Sequence, residues 1–135
     1  LVLKPAKLFI NIGTNDLSNP DIPIAEMIAN YDKIICQVKD SLPDVSIYFM
    51  AYYPINYDAA TDEMKPCLLV RTNKKIDEAN AAVRALAQKH NEMYIDITAP
   101  LKDENGNLKA EYTIEGMHIN EDGYRSIFPE FMKYV

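Results

Sequence analysis

Apolar residues recur along this chain with two different periods, and the switch between them lays out most of its elements. Leu8-Phe9-Ile10 and Ile12 form a short apolar run that stops at Gly13. Runs of this length without alternation predict strands buried on both faces, as in parallel sheets. From Ile24 the apolar positions are Met27, Ile28, Tyr31, Ile34, Ile35, Val38 and Leu42. Steps of three and four place them on one face of an amphipathic helix, with Lys33, Lys39 and Asp40 on the other side. Asp21 is the expected N-cap, Pro23 is tolerated in the first turn, and Pro43-Asp44 ends the helix. Val45 to Ala51 is predicted as the second strand. It brings Tyr52-Tyr53-Pro54-Ile55-Asn56-Tyr57 to the same sheet edge as the first.

Ala59 to Pro66 is acidic and is predicted as irregular, mobile loop. A second helix, capped by Thr72 or Asn73, runs to about His90, with Ile76, Ala79, Val83, Leu86 and Ala87 as its apolar stripe. His90 falls in the last turn, where a partly charged imidazole suits the helix dipole, so it reads as a capping or surface residue. Met93 to Ile97 is the third strand, with Asp96 placed to tie down neighbouring loops. Leu101 to Tyr112 is a connection with a turn at Asn105-Gly106. Asn120 caps a last helix that carries Tyr124, Ile127, Phe128, Phe131 and Met132 inward, and Pro129 should kink or break it. Leu1 to Pro5 reads as the end of a helix stopped by the proline. Strand, helix, strand, helix, strand, loop, helix is the order of a parallel sheet with helices on both faces, because crossovers between parallel strands are right-handed.

Composition narrows the classes. The 135 residues make one modest domain, and nearly half are apolar, which excludes disorder. A net charge of −6 argues against a nucleic-acid surface, which needs clustered Lys and Arg, and gives no help in approaching anionic lipid headgroups. No apolar run approaches the roughly 20 residues that span a membrane. Cys36 on a helix and Cys67 in a loop lack metal-ligand spacing and a companion His, so two free thiols are expected and no metal. Asp103 to Asn107 has the wrong order for a calcium loop.

Two polar blocks carry the candidate chemistry. Gly13-Thr14-Asn15-Asp16 sits at the carboxyl end of the first strand, where open α/β sheets bind ligands. The glycine permits a sharp turn, and the Asn15 amide offers N–H groups to a substrate oxygen. Alone, this quartet is an ordinary turn. About a hundred residues on stands Thr113-Ile-Glu-Gly-Met-His118-Ile-Asn-Glu-Asp-Gly-Tyr124, with one of the chain's two histidines.

Together the blocks resemble the SGNH, or GDSL-type, hydrolases, which have a Gly-x-Asn-Asp block after the third strand and an Asp-x-x-His block before the last helix. The first block matches in full; in the second, Glu115 stands where Asp is usual. The resemblance implies a three-layer α/β/α, flavodoxin-like fold whose five-stranded sheet has the order 2-1-3-4-5, with this chain supplying strands 3, 4 and 5. It implies His118 as general base, Asn15 as oxyanion donor and Glu115 as the residue orienting the imidazole. Three cases stay open for Glu115: a Ser-His-Glu triad, a dyad supported by a backbone carbonyl, or a weakened enzyme. Gly13, Thr14, Tyr52, Tyr53 and Asn56 are the expected substrate-binding residues. The three tyrosines of this stretch form either a wall of the cleft or packing for a long loop.

The family's Gly-Asp-Ser and oxyanion-glycine blocks do not occur in these 135 residues, and no Gly-x-Ser-x-Gly elbow is present. Residues 1–135 are thus expected to be a partial SGNH domain, inactive alone, from a serine esterase hydrolysing small acyl esters of carbohydrate or short-chain lipid. The alternative is a non-catalytic flavodoxin-like binding module that keeps the cleft. The resemblance implies no metal or organic cofactor. Strand Lys7–Ile12 is expected to pair with a second copy or with a preceding segment, because it would otherwise be a bare hydrophobic edge. Compartment is open, cytoplasmic or secreted.

Overall fold

The computed structural model describes residues 3–135. Three parallel strands, β1 (Lys7–Ile10), β2 (Ser46–Met50) and β3 (Met93–Ile95), form one sheet in the order β1-β2-β3. Leu8 lies opposite Ile47, and Phe49 opposite Tyr94. The crossovers contain helices α1 (Ile24–Ser41), α2 (Lys65–Val70) and α3 (Asn73–Lys89), and α4 (Glu121–Met132) closes the chain. The α/β class read from the sequence is the one observed.

Side chains alternate across a strand, so β2 feeds two cores. Ile47 and Phe49 face α1 and α3, where they join Tyr31, Ile35, Ala79 and Val83. Tyr48 and Met50 turn the other way, toward Ile95, Leu101, Leu108 and Ile127. Two cores separated by the sheet make three layers. On the second face Phe9 stacks on Tyr48 with ring centroids 4.7 Å apart and meets Phe131 edge-on at 4.8 Å. Lys7 Nζ donates to the Tyr134 carbonyl at 2.8 Å, so the end of the chain is tied over β1. Among the described residues nothing pairs with the outer edge of β1.

The helix stripes follow the periodicity except at Ile34, which is exposed. All five apolar positions named for α3 are buried, and Met27, Tyr31 and Ile35 form the buried seam of α1. Thr72 is the N-cap of α3, its hydroxyl accepting from the Lys75 N–H at 3.1 Å. Other expectations are corrected. Pro23, in extended conformation, is the N-cap of α1; Asp21 lies outside the helix, its N–H bonded to Asn19 Oδ1 at 2.9 Å. Residues 65–70 are helical, so Cys67 stands on α2 rather than in a loop. β3 ends at Ile95. Of the α4 residues expected inward, Ile127 is buried and Phe131 partly so, while Tyr124, Phe128 and Met132 are exposed. The short 3-10 turns at Ala99–Leu101 and Ala110–Tyr112 cover only one side of the helix. Helix α4 runs on through Pro129 to Met132, since a proline near a helix end forfeits only one late backbone bond. Leu1 and Val2 of the expected N-terminal helix end lie outside the described residues, and Leu3–Pro5 are not helical.

His90 is the C-cap of α3, as one of its two sequence readings has it, but it is not a surface residue. Its Nε2 lies 2.6 Å from Asp32 Oδ1, and its side chain is largely buried between α1 and α3. Lys89 Nζ meets the other oxygen of Asp32 at 2.5 Å. The Lys89 bond first and the His90 bond second hold the Asp32 carboxyl below its ordinary value.

Candidate active site

The carboxyl end of β1 is built to hold Asn15 out. Gly13 takes φ +93°, which turns the chain into a 3-10 helix over Thr14–Ser18. A Cβ at residue 13 would lie 3.2 Å from the Tyr52 hydroxyl and 3.3 Å from Met27 Cγ, so both φ and space favour glycine there. Leu17 is buried as the anchor of the turn. Three side chains pin the segment: Tyr52 donates its hydroxyl to the Ile12 carbonyl at 2.6 Å, Lys75 Nζ donates to the Leu17 carbonyl at 3.0 Å, and Asn11 Nδ2 donates to the Ala51 carbonyl at 3.3 Å. Asn15 itself is exposed, and among the described residues no side chain or carbonyl claims its amide.

The second wall is the loop from Thr113 to Ile119, pinched shut by an antiparallel bridge between those two residues. Thr113 Oγ1 donates to the His118 carbonyl at 2.7 Å and accepts from the Gly116 N–H at 3.0 Å. Glu115 folds back within the loop. Its Oε1 accepts from the backbone N–H groups of Met117, at 2.9 Å, and His118, while Oε2 sits 3.0 Å from His118 Nδ1. The additional methylene of Glu is thus absorbed by a tight turn of the loop. Burial works to raise the Glu115 pKa. The bonds from His118 backbone and ring and from the Met117 N–H, with the charge of the imidazole, outweigh it and hold the carboxyl below its ordinary value. A carboxylate on Nδ1 puts the proton there and leaves Nε2 as the basic nitrogen. The ring is well presented: 76 % of the His118 side-chain surface is accessible, against 24 % for Glu115.

Gly116 fixes this loop to its neighbour. Its φ is +97°, its carbonyl accepts from the Asn56 N–H at 2.8 Å, and a Cβ would lie 2.6 Å from the Asn56 carbonyl oxygen and 2.7 Å from Ala60 Cβ. Asn120 then caps α4, accepting from the Gly123 N–H at 3.0 Å.

The two walls face one cleft of about 280 Å³, lined by Asn15 and Thr14 on one side, His118 and Met117 on the other, with Tyr53, Arg71 and Tyr124 between. Asn15 also borders a shallower depression with Gly13, Asp16 and Met27. The fold therefore brings Asn15, Thr14, Tyr53, Glu115 and His118 together. Tyr52 and Asn56 stand elsewhere. Tyr52 is 2 % exposed beneath the Gly13 turn, its hydroxyl spent on Ile12. Asn56 uses Nδ2 on the Leu108 carbonyl and Oδ1 on the Ala59 N–H, both within 3.0 Å. Both support walls of the cleft without lining it. Tyr53 stays protonated, since burial first and Tyr124 second raise its pKa. Arg71 and Tyr124 were not expected in the site; Arg71 belongs to no motif, and Tyr124 reads from periodicity as core.

Cys36 and Cys67 are free thiols. The fold gives Cys36 the histidine that the sequence does not place near it: Asp32, Cys36 and His90 offer ligand atoms within 4.8 Å of one another. Asp32 is already paired there with Lys89 and bonded to His90, and none of the three residues lines the cleft.

A family model for GDSL-like lipase/acylhydrolase proteins matches residues 1–126. Among solved structures, a protein of Streptococcus pneumonia provisionally assigned as a platelet activating factor is 31 % identical, with a TM-score of 0.84 over 95 % of this chain and 58 % of its own. A GDSL-like lipase of Bacteroides thetaiotaomicron is 23 % identical, with a TM-score of 0.73 over 96 % of this chain and 60 % of its own. A catalytic mutant of an acetylxylan esterase of Geobacillus stearothermophilus is 19 % identical, with a TM-score of 0.68 over 96 % and 59 %. At the two lower identities the likeness is one of fold. The chain thus spans about three fifths of the length of these structures. No curated protein matches it.

Proposed function

The chain belongs to the GDSL-like lipase/acylhydrolase family, and from that premise we propose that it supplies the base and oxyanion half of a serine acylhydrolase acting on small acyl esters. The observation that carries this reading is the convergence of Asn15 and His118 on one cleft, with His118 Nδ1 held by Glu115 at 3.0 Å. None of the cleft-lining residues is a serine. Ser18 follows the Asn block and meets Cys67 Sγ at 3.2 Å. In this reading the nucleophile comes from residues outside these 135, and the domain described here is partial.

The steps follow from the geometry. As the serine oxygen attacks the acyl carbon, His118 Nε2 takes its proton and Glu115 steadies the resulting imidazolium through Nδ1. The carbonyl oxygen becomes an oxyanion that the Asn15 amide N–H stabilises. When the intermediate collapses, the imidazolium returns the proton to the leaving alcohol; water then repeats the sequence on the acyl-enzyme. Of the three cases for Glu115, the triad is the one that this bonding supports. An acetyl ester of a carbohydrate is the preferred substrate class, by analogy with the acetylxylan esterase of the same fold; a short-chain lipid ester is the second.

The test uses the gene product that includes its serine. Fluorophosphonate labelling separates a serine enzyme from a binding module that keeps only the cleft. With p-nitrophenyl acetate, Asn15→Ala is expected to lower kcat about 100- to 1,000-fold, and His118→Ala at least as much. No labelling, or an Asn15→Ala effect under about tenfold, overturns the proposal.

A further inference from the structure

Arg71 is the least explained side chain at the cleft. It stands at the C-cap of α2, directly before the Thr72 cap of α3, and only 7 % of its surface reaches solvent. Among the described residues no carboxylate forms an ion pair with it, although Arg125 and four of the lysines have such partners. Its one side-chain bond runs from Nη1 to Met117 Sδ. A thioether is a weak acceptor, and a guanidinium has five N–H donors to satisfy.

Burying a cation without an anion is among the costlier arrangements in a folded chain. Burial pushes the Arg71 pKa down, while Cys67, Glu115 and Tyr52 work to raise it; a guanidinium remains charged through such a shift. Glu115 favours that charge without bonding to it, since its oxygens are held by the His118 ring and two backbone N–H groups. The guanidinium nevertheless lines the same cleft as Asn15 and His118, beside the protonated hydroxyl of Tyr53. Among the described residues the cleft therefore offers hydrogen-bond donors and one cation with no carboxylate bonded to it.

We propose that Arg71 is an anion-binding residue of this cleft, and that the ester turned over here carries a carboxylate or phosphate group near the scissile bond. A planar fork of N–H donors suits either oxyanion. A cleft of about 280 Å³ has room for a small acyl group and one such anion. The word ester rests on the acylhydrolase reading above; the anion site does not.

The test is therefore a binding measurement on the gene product that includes its serine. That product is titrated calorimetrically with inorganic phosphate, with succinate and with the neutral isostere succinamide, while the Arg71 Nε–H signal is followed by NMR. At least one anion is expected to bind and shift that signal, succinamide to bind at least about tenfold more weakly, and Arg71→Gln to weaken the anion by at least about tenfold. Arg71→Lys, which keeps the charge and loses the fork, is expected to fall between. Preference for phosphate or for succinate identifies the oxyanion. Equal binding of succinate and succinamide, binding of neither anion, or anion binding unchanged in Arg71→Gln overturns the proposal. If Arg71→Gln does not fold, the succinate–succinamide comparison and Arg71→Lys decide. No turnover is read, so failure of the esterase experiment and failure of this one are separate results.

Discussion

Replacing Gly116 by alanine tests how the His118 loop is held. The substitution has two costs. Alanine at φ +97° enters the left-handed region, for about 1–2 kcal/mol. Its methyl would also meet the Asn56 carbonyl oxygen at 2.6 Å and Ala60 Cα at 2.8 Å. Those are backbone atoms that no rotamer change can remove, and overpacking of this kind costs about 1–3 kcal/mol more. The sum is about 2–5 kcal/mol, a large part of the roughly 5–15 kcal/mol that stabilises a domain. Gly106 supplies the control. Its φ is +79°, yet nothing lies within 4 Å of the Cβ position, so Gly106→Ala carries the strain alone. Urea unfolding followed by circular dichroism suits a chain with nine tyrosines and no tryptophan. The expected outcome is a Gly116→Ala destabilisation exceeding that of Gly106→Ala by at least about 1 kcal/mol, with the Asn56 amide losing its protection from exchange. Equal destabilisation of the two variants would refute the argument that the loop is clamped at Gly116.

Tyr52→Phe deletes the bond to the Ile12 carbonyl and leaves that acceptor underneath the Asn15 turn, for a loss of about 1–3 kcal/mol in the same unfolding assay; a change under about 0.3 kcal/mol would remove Tyr52 as a support. Glu115 is held below its ordinary pKa, so its contribution is complete above the unfolded value, near pH 4.3–4.5, and fades as pH falls through the lower folded value. Wild type is accordingly expected to exceed Glu115→Gln in stability at pH 7 and to converge on it as the pH falls below the lowered carboxyl value; a constant gap would show that the charge is not involved. The isolated chain is expected to show no p-nitrophenyl acetate turnover; measurable turnover lost on His118→Ala would contradict a nucleophile outside these residues. The edge of β1, unpaired among the described residues, is expected to drive self-association of the isolated chain at high concentration, and light scattering that reports only monomer would argue against it.

The layers were legible because each helix and strand buries a continuous face, and burial imposes a period on the sequence. Ile76, Ala79, Val83, Leu86 and Ala87 are all buried in α3 as that period requires. Asn15 and His118 were legible for a different reason: each lies in a short polar block whose local turn chemistry brings it to the sheet edge. The errors fall where long-range packing decides. α2 has six residues, opens on Lys65-Pro66 and leaves too short a stripe to read. Tyr52 and Tyr53 are neighbours of one type, yet one is core and the other lines the cleft, because the alternation of β2 breaks where the strand ends at Met50. Arg71 has no local signature, since its burial depends on Met117, 46 positions away.

The segment from Tyr52 to Asn56 touches both sides of the cleft, through the Tyr52 hydroxyl on Ile12 at one end and the Asn56 N–H on Gly116 at the other. It works as a spacer of fixed length between the His118 loop and the Asn15 turn. One residue inserted into it would move its far end by about 3.3 Å, farther than a hydrogen bond can stretch. Relatives that use the same two blocks for the same reaction are therefore expected to keep this count unchanged while their other loops vary in length, and a change in the count should mark a chain that has abandoned the chemistry.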